Sequence, residues 1–180
     1  MKVFLFLADG FEEIEAIAPV DIFRRAGLDV VTVSVNAQKE VSGARGIIVK
    51  ADTLFDENDY QGDNLIFLPG GMPGTTNLDN HDGLKKLIAV QAQKQGKIAA
   101  ICAAPSILGK MDLLKGKEAI CYPGFESMLT DARISKEKMV QDSNIYTAKG
   151  PGVAIPFALE IVTGLCGKAK ADEIAAALIL

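Results

Sequence analysis

Three stretches of the chain are apolar without alternation: Val3 to Ala8, Asn64 to Leu68 beyond its first residue, and Lys97 to Ile101 beyond its lysine. Uniform runs of this length mark strands covered on both faces, the habit of parallel sheets. Asp29 to Val35, rich in valine, predicts another strand. Between the first two strands lies an acidic segment, Phe11 to Glu15, and then a helix running to Arg25-Ala26-Gly27. Pro19 lies four residues after Glu15 and removes the amide that would bond the Glu15 carbonyl, so the helix is expected to kink or restart there. Strand, helix and strand in this order form a βαβ unit and imply a parallel sheet.

The remaining pattern fills in the layers. Val41 to Val49 contains two turn signals and reads as a small hairpin at the sheet's edge. After Pro69 to Gly74 comes a helix with Leu84, Leu87, Ile88 and Gln91 on one stripe and Gly96 as its stop. A short strand through Cys121, a short helix over Pro123 to Leu129, and strands at Lys138 to Val140 and Asn144 to Ala148 follow. Gly150-Pro151-Gly152 opens a helix to Cys166 that is apolar nearly all round and therefore expected to be buried. Ala169 to Leu180 forms a last helix whose apolar end suits either the core or a subunit contact. With no repeat, low-complexity stretch or linker, the pattern predicts one α/β domain over residues 1–180. Its architecture is a flavodoxin-like three-layer sandwich around a mostly parallel sheet.

Cys102 stands at the corner between the strand ending at Ile101 and a helix opening at Pro105. Proline is tolerated at a first helical turn because the amides there lack intrahelical partners. Ala100, Ala103 and Ala104 are small, as a tight elbow requires, and the same mechanics present the nucleophile of hydrolase elbows. A free cysteine is most often a buried structural residue. Helix-terminal amides, however, lower a thiol below its ordinary value of ~8.5, so Cys102 is expected to titrate low. Cys121 and Cys166, on a strand and a buried helix, are expected to be inert.

Glu15, Gly70-Gly71 and Cys102 each follow the carboxyl end of a predicted strand, where open parallel sheets bind ligands. An isolated Gly-Gly is usually only a turn. Here it also exposes amides suited to an oxyanion. If Glu15 reaches Cys102, like charges oppose each other and the carboxyl is expected to be protonated, donating to the sulfur.

Composition narrows the function. The net charge of −4 and the absence of a basic run exclude a nucleic-acid binder of the ordinary kind. Asp9, Glu12 and Glu13 end the N-terminal apolar run too soon for a signal peptide, and no stretch is long enough to span a membrane. Three scattered cysteines make neither a disulfide framework nor a zinc spacing. These features suit a cytoplasmic protein without a metal. The only histidine, His81, sits at a predicted helix cap and reads as a solvent-exposed capping residue.

Taken in order, Gly10 to Asp21, Arg24 to Gly27, Leu68 to Gly71, Ala99 to Pro105 and Lys149 to Gly152 resemble the ThiJ/PfpI superfamily. The resemblance runs nearly the full length and is strongest to the DJ-one branch of parkinsonism-associated deglycases with its bacterial YajL-like members. It implies a homodimer, an oxidation-sensitive nucleophile at Cys102 and its protonated partner at Glu15. Gly71 and Ala103 match positions whose amides line the pocket, with Gly70 beside them. Arg25 and Arg45 match arginines near the dimer interface, as anion contacts. Tyr122 stands where some relatives carry a pocket histidine. Ala103 stands where protease-like relatives carry theirs, which disfavours peptidase activity. The implied activity is cofactor-free and glutathione-independent, of glyoxalase or deglycase type, on 2-oxoaldehydes such as methylglyoxal. The alternative is a non-enzymatic redox sensor or chaperone in which Cys102 oxidises to sulfinic acid.

Overall fold

In the computed structural model, which describes all residues Met1–Leu180, the uniform apolar runs form the middle of a sheet. β1 (Lys2–Leu7) pairs in parallel with β2 (Asp29–Ser34) on one side. On its other side it pairs with the later strand β6 (Asn64–Leu68). Between β2 and β6 the chain forms β3 (Glu40–Ser42), β4 (Ile48–Lys50) and β5 (Thr53–Leu54). β7 (Lys97–Ile101) pairs in parallel with β6. Further on come β8 (Glu118–Ala119), β9 (Arg133–Ile134), β10 (Met139–Asp142) and β11 (Ile145–Ala148). The main sheet has the order β10-β11-β7-β6-β1-β2-β5, and only β10 runs antiparallel to its neighbour. Strand order reverses at the β1/β6 junction, so the crevice of the fold opens there.

Strand alternation explains the uniform runs. Val3, Leu5, Leu7, Phe67 and Ile101 point to one face and join a core with Ala16, Phe23, Phe157 and Ile161. Phe4, Phe6, Ile66, Leu68 and Ile98 point to the other and join Leu78, Leu84, Ile88 and Ile107. Helices α1 (Glu13–Arg25), α5 (Ala154–Cys166) and α6 (Lys168–Ala177) cover the first face. Helices α2 (Gly74–Asp79), α3 (Asp82–Gln93) and α4 (Pro105–Lys110) cover the second. No helix is long and apolar enough to cross a membrane.

Several local expectations change. α1 runs without interruption through Pro19, so it does not restart there. The hairpin β3–β4 is a separate two-stranded sheet, not an edge of the main one. It bonds instead to the β1–α1 loop, through Gly10 N to Ser42 O at 2.7 Å and Ala44 N to Phe11 O at 2.7 Å. The helix after Gly74 is two helices, with His81 capping the second. The strand expected through Cys121 ends at Ala119, and only Glu126–Met128 is helical in the following segment, as a 3₁₀ turn. α5 buries one face only: Ala154, Phe157, Ala158, Ile161 and Val162 are inside, while Cys166 at its end is exposed. Its apolar outer positions outnumber what one stripe needs, which is why the sequence reads as buried all round.

Candidate active site

The three neighbours β1, β6 and β7 deliver their carboxyl ends side by side, leading into the first turn of α1 with Glu15, the Gly70-Gly71 loop and the Cys102 corner. Cys102 follows Ile101 directly and holds φ at +65°, a left-handed backbone that a residue with a Cβ seldom adopts. The turn is fixed from both sides. Cys102 N donates to Ala148 O at 2.9 Å, and Tyr122 N donates to Cys102 O at 2.8 Å. A strained corner so held turns the side chain out of strand direction, leaving the thiol half-buried. The sequence did not indicate these two tethers, since both come from distant strands and loops.

Glu15 sits in the first turn of α1 and is fully buried. Glu12 caps that helix, its Oε2 accepting from Glu15 N at 2.8 Å. Glu15 Oε2 accepts from Gly70 N at 2.8 Å, while Oε1 is buried with no such partner. The side chain it bonds is Cys102. Gly70 is what lets the two meet: a Cβ there would stand 2.6 Å from Cys102 Cβ and 2.7 Å from Glu15 Oε2. Gly71 has φ +90° and packs against the backbone of Gly10, Phe11 and Glu12, so a side chain is excluded for a second reason. The amides of Gly71 and Ala103 both donate to the Cys102 sulfur. The expected constellation of Cys102, Glu15, Gly70, Gly71 and Ala103 is therefore gathered at one point.

Its electrostatics follow expectation at Glu15, whose proton is held more tightly, and reverse it at Cys102. Burial pushes the Glu15 carboxyl up from 4.5 to about 7, against the bonds from Cys102 and Gly70. Burial, then the charge and hydrogen bond of Glu15, push the Cys102 thiol up from 9.0 to about 12. The Gly71 and Ala103 amides act in the expected downward direction but are outweighed. Two hydrogen-bonded acids titrate as a pair. One proton leaves this pair near 7, and the second is held to about 12. Below about 7 the pair holds both protons and above it a single one between Cys102 and Glu15, a poise near neutrality suited to proton transfer.

The other candidates lie apart. Arg25 is exposed and paired with Asp21 at 2.7 Å, ten residues along the helix from Glu15 and hence about 15 Å from it. Arg45 is exposed at the β3–β4 turn. Its amide donates to Glu13 Oε1 at 2.7 Å, so the nearly buried Glu13 ties the hairpin to α1. That tie was missed; its one sequence signal is Gly43, which leaves room for the Glu13 carboxylate. His81 caps α3 through Nδ1, accepting from Leu84 N at 3.0 Å, and is half-buried against Phe55 rather than free in solvent. Tyr122 is 47% exposed beside the Cys102 corner. Cys121 is buried, and burial pushes its thiol up to about 11.

Residues 1–164 match the DJ-1/PfpI family. Protein DJ-1 homolog B of Arabidopsis thaliana is 39% identical over 181 residues, covering 99% of this chain and 41% of the relative. The chain thus spans about two fifths of that plant protein's length. The Parkinson disease protein 7 homolog of Danio rerio is 32% identical over 183 residues, covering 99% of this chain and 97% of the relative. Among solved structures, oxidised Toxoplasma gondii DJ-1 superposes with a TM-score of 0.94 at 36% identity, covering 99% of this chain and 97% of that one.

Proposed function

The chain belongs to the DJ-1/PfpI family, and from that membership and its Cys102–Glu15 pair we propose a cysteine-dependent, glutathione-independent enzyme of glyoxalase or deglycase type. Its substrates are 2-oxoaldehydes such as methylglyoxal, or their adducts, and its role is protection against such reactive species. The observation that carries the reading is the fully buried Glu15 carboxyl bonded to the Cys102 thiol, its titration raised by burial to about 7.

The pair suits an internal redox reaction. The Cys102 sulfur adds to the aldehyde carbon, forming a C–S bond while the aldehyde oxygen takes up the proton of the pair. Amides of Gly71 and Ala103 lie at the sulfur and suit the developing oxyanion. Glu15 then removes the proton on the first carbon and returns one to the second, while the hydroxyl proton on the first carbon's oxygen passes to the ketone oxygen. The first carbon is thereby oxidised to a thioester and the neighbouring ketone reduced to an alcohol. Water cleaves the thioester, restoring the thiol and releasing a 2-hydroxy acid. No cofactor takes part in this sequence. Peptidase chemistry is disfavoured, because the only histidine caps α3 against Phe55 and assists no nucleophile.

A second reading, a redox sensor or chaperone, is favoured by one observation: the amides at the Cys102 sulfur also suit the oxygens of a sulfinate. Purified protein incubated with methylglyoxal, with and without prior peroxide, separates the two. The enzyme reading expects one lactate per methylglyoxal consumed over many turnovers, lost after peroxide and in Cys102→Ala. Consumption that stops at one equivalent per protein contradicts it.

We further propose a homodimer in a two-fold arrangement about α1. Ile14 and Ile17 on α1 and Ile47 and Ile48 on the hairpin are exposed, whereas Phe11 just before α1 is fully buried. Apolar residues grouped on an exposed face suit a subunit contact.

A further inference from the structure

β10 and β11 run antiparallel with Met139 opposite Ala148, so the next residues out, Lys138 and Lys149, face each other. Lys149 N donates to Lys138 O at 2.9 Å. Like charges opposite one another across strands are destabilising. Both side chains are exposed and neither ammonium reaches a carboxylate, whereas Lys39, Lys110 and Lys117 all do. The two lysines line a surface depression together with Tyr122, Pro123, Gly150 and Val153, and no acidic residue lines it.

The depression adjoins the Cys102 corner by covalent neighbours of both tethers. Tyr122 on its rim is the residue whose amide holds Cys102 O, and Lys149 follows Ala148, whose carbonyl holds Cys102 N. Gly150 is buried against the Tyr122 ring, where a Cβ would stand 3.2 Å from the ring edge, so a glycine there lets the ring pack close against the backbone at the groove's side. Glu126 and Glu137 are the acids on the neighbouring loops; Glu126 accepts from Gly124 N at 2.7 Å and Glu137 is exposed.

We infer that this groove is a subsite for an anionic substituent, a carboxylate or a phosphate monoester, on the molecule attacked by Cys102, with Lys138 and Lys149 as its cationic rim and Tyr122 as its apolar wall. The inference rests on the reading of Cys102 as nucleophile and specifies the substrate class: oxoaldehydes bearing a negative charge, in preference to neutral methylglyoxal. Two unpaired lysines held in register attract an anion beside the corner that carries Cys102, which both tethers join to the groove.

The test uses alkylation, which needs no turnover and so stands even if methylglyoxal is not consumed. The rates at which iodoacetate, an anion, and iodoacetamide, its neutral counterpart, alkylate Cys102 are compared by mass spectrometry. The iodoacetate:iodoacetamide ratio is expected to fall roughly fivefold for each of Lys138→Gln and Lys149→Gln, the factor of a unit charge a few ångströms away through water. Lys110→Gln, on the helix after Cys102, is expected to leave the ratio in place. Saturable protection by inorganic phosphate or by acetate, weakened in Lys149→Gln, tells a phosphate-bearing from a carboxylate-bearing substrate and supports the subsite either way. A ratio unmoved by both variants, one moved as far by Lys110→Gln, or protection by neither anion overturns it.

Discussion

Glu15 keeps its proton to about pH 7 in the folded protein, whereas in an unfolded chain it releases it near 4.5. Because the folded value is raised, the bound proton stabilises the fold fully below pH 4.5, and that contribution fades as pH rises through 7. At about 1.4 kcal/mol per unit, the loss amounts to about 3 kcal/mol across this window. Glu15→Gln has no proton to lose. Its urea midpoint is therefore expected to gain on the wild type between pH 4.5 and 8, and parallel pH profiles would contradict the assignment. The cysteines separate at the same scale. Cys166 is exposed and Cys121 buried, so iodoacetamide is expected to label Cys166 well before Cys121 in peptide mapping. The sequence indicated the opposite for Cys166, because apolar neighbours say nothing about which side of α5 faces water. The low thiol value expected of Cys102 failed for a similar reason: amides near a thiol can be inferred from an elbow, but its burial cannot.

The loops after β1, β6 and β7 are where elements become a site. Gly70→Ala sets a methyl against Cys102 Cβ, Glu15 Oε2 and the Ile101 carbonyl at once, three contacts of which one is backbone. It is expected to cost stability and to reduce turnover by at least about 10²-fold, the weight of a positioned acid/base group. Near-normal turnover in that variant would mean the Cys102–Glu15 contact is dispensable. On the neighbouring hairpin, Glu13→Ala removes the acceptor of Arg45 N. Amide exchange at Ala44 to Gly46 is then expected to quicken, and unchanged exchange would show the hairpin to be held otherwise. Much at this scale was legible beforehand. Runs such as Val3 to Ala8 fill both cores at once, and only a strand covered on two faces needs that. By contrast, β5 and β9 are two residues each, too short to carry any period. The docking of β3–β4 onto Gly10 and Phe11 depends on backbone bonds between distant segments, to which side-chain pattern is blind.

For the whole molecule, the order β7-β6-β1 turns three separate loop signals into one crevice, a step sequence spacing could suggest only on the condition that these strands are neighbours. The proposed dimer is tested by light scattering at micromolar concentration. A mass of twice 19.1 kDa is expected, and a single species at 19.1 kDa would remove the dimer and any role of Arg45 across it. The central claim is that Glu15 moves protons for a reaction begun by Cys102, and lactate formed from methylglyoxal by Glu15→Gln tests it most directly. Glutamine keeps a hydrogen-bond donor and the shape of the side chain but carries no transferable proton. The account predicts a folded variant whose lactate formation falls by roughly 10²-fold or more. Lactate formation at the wild-type rate would contradict it and reduce Glu15 to a partner that only holds the sulfur in place.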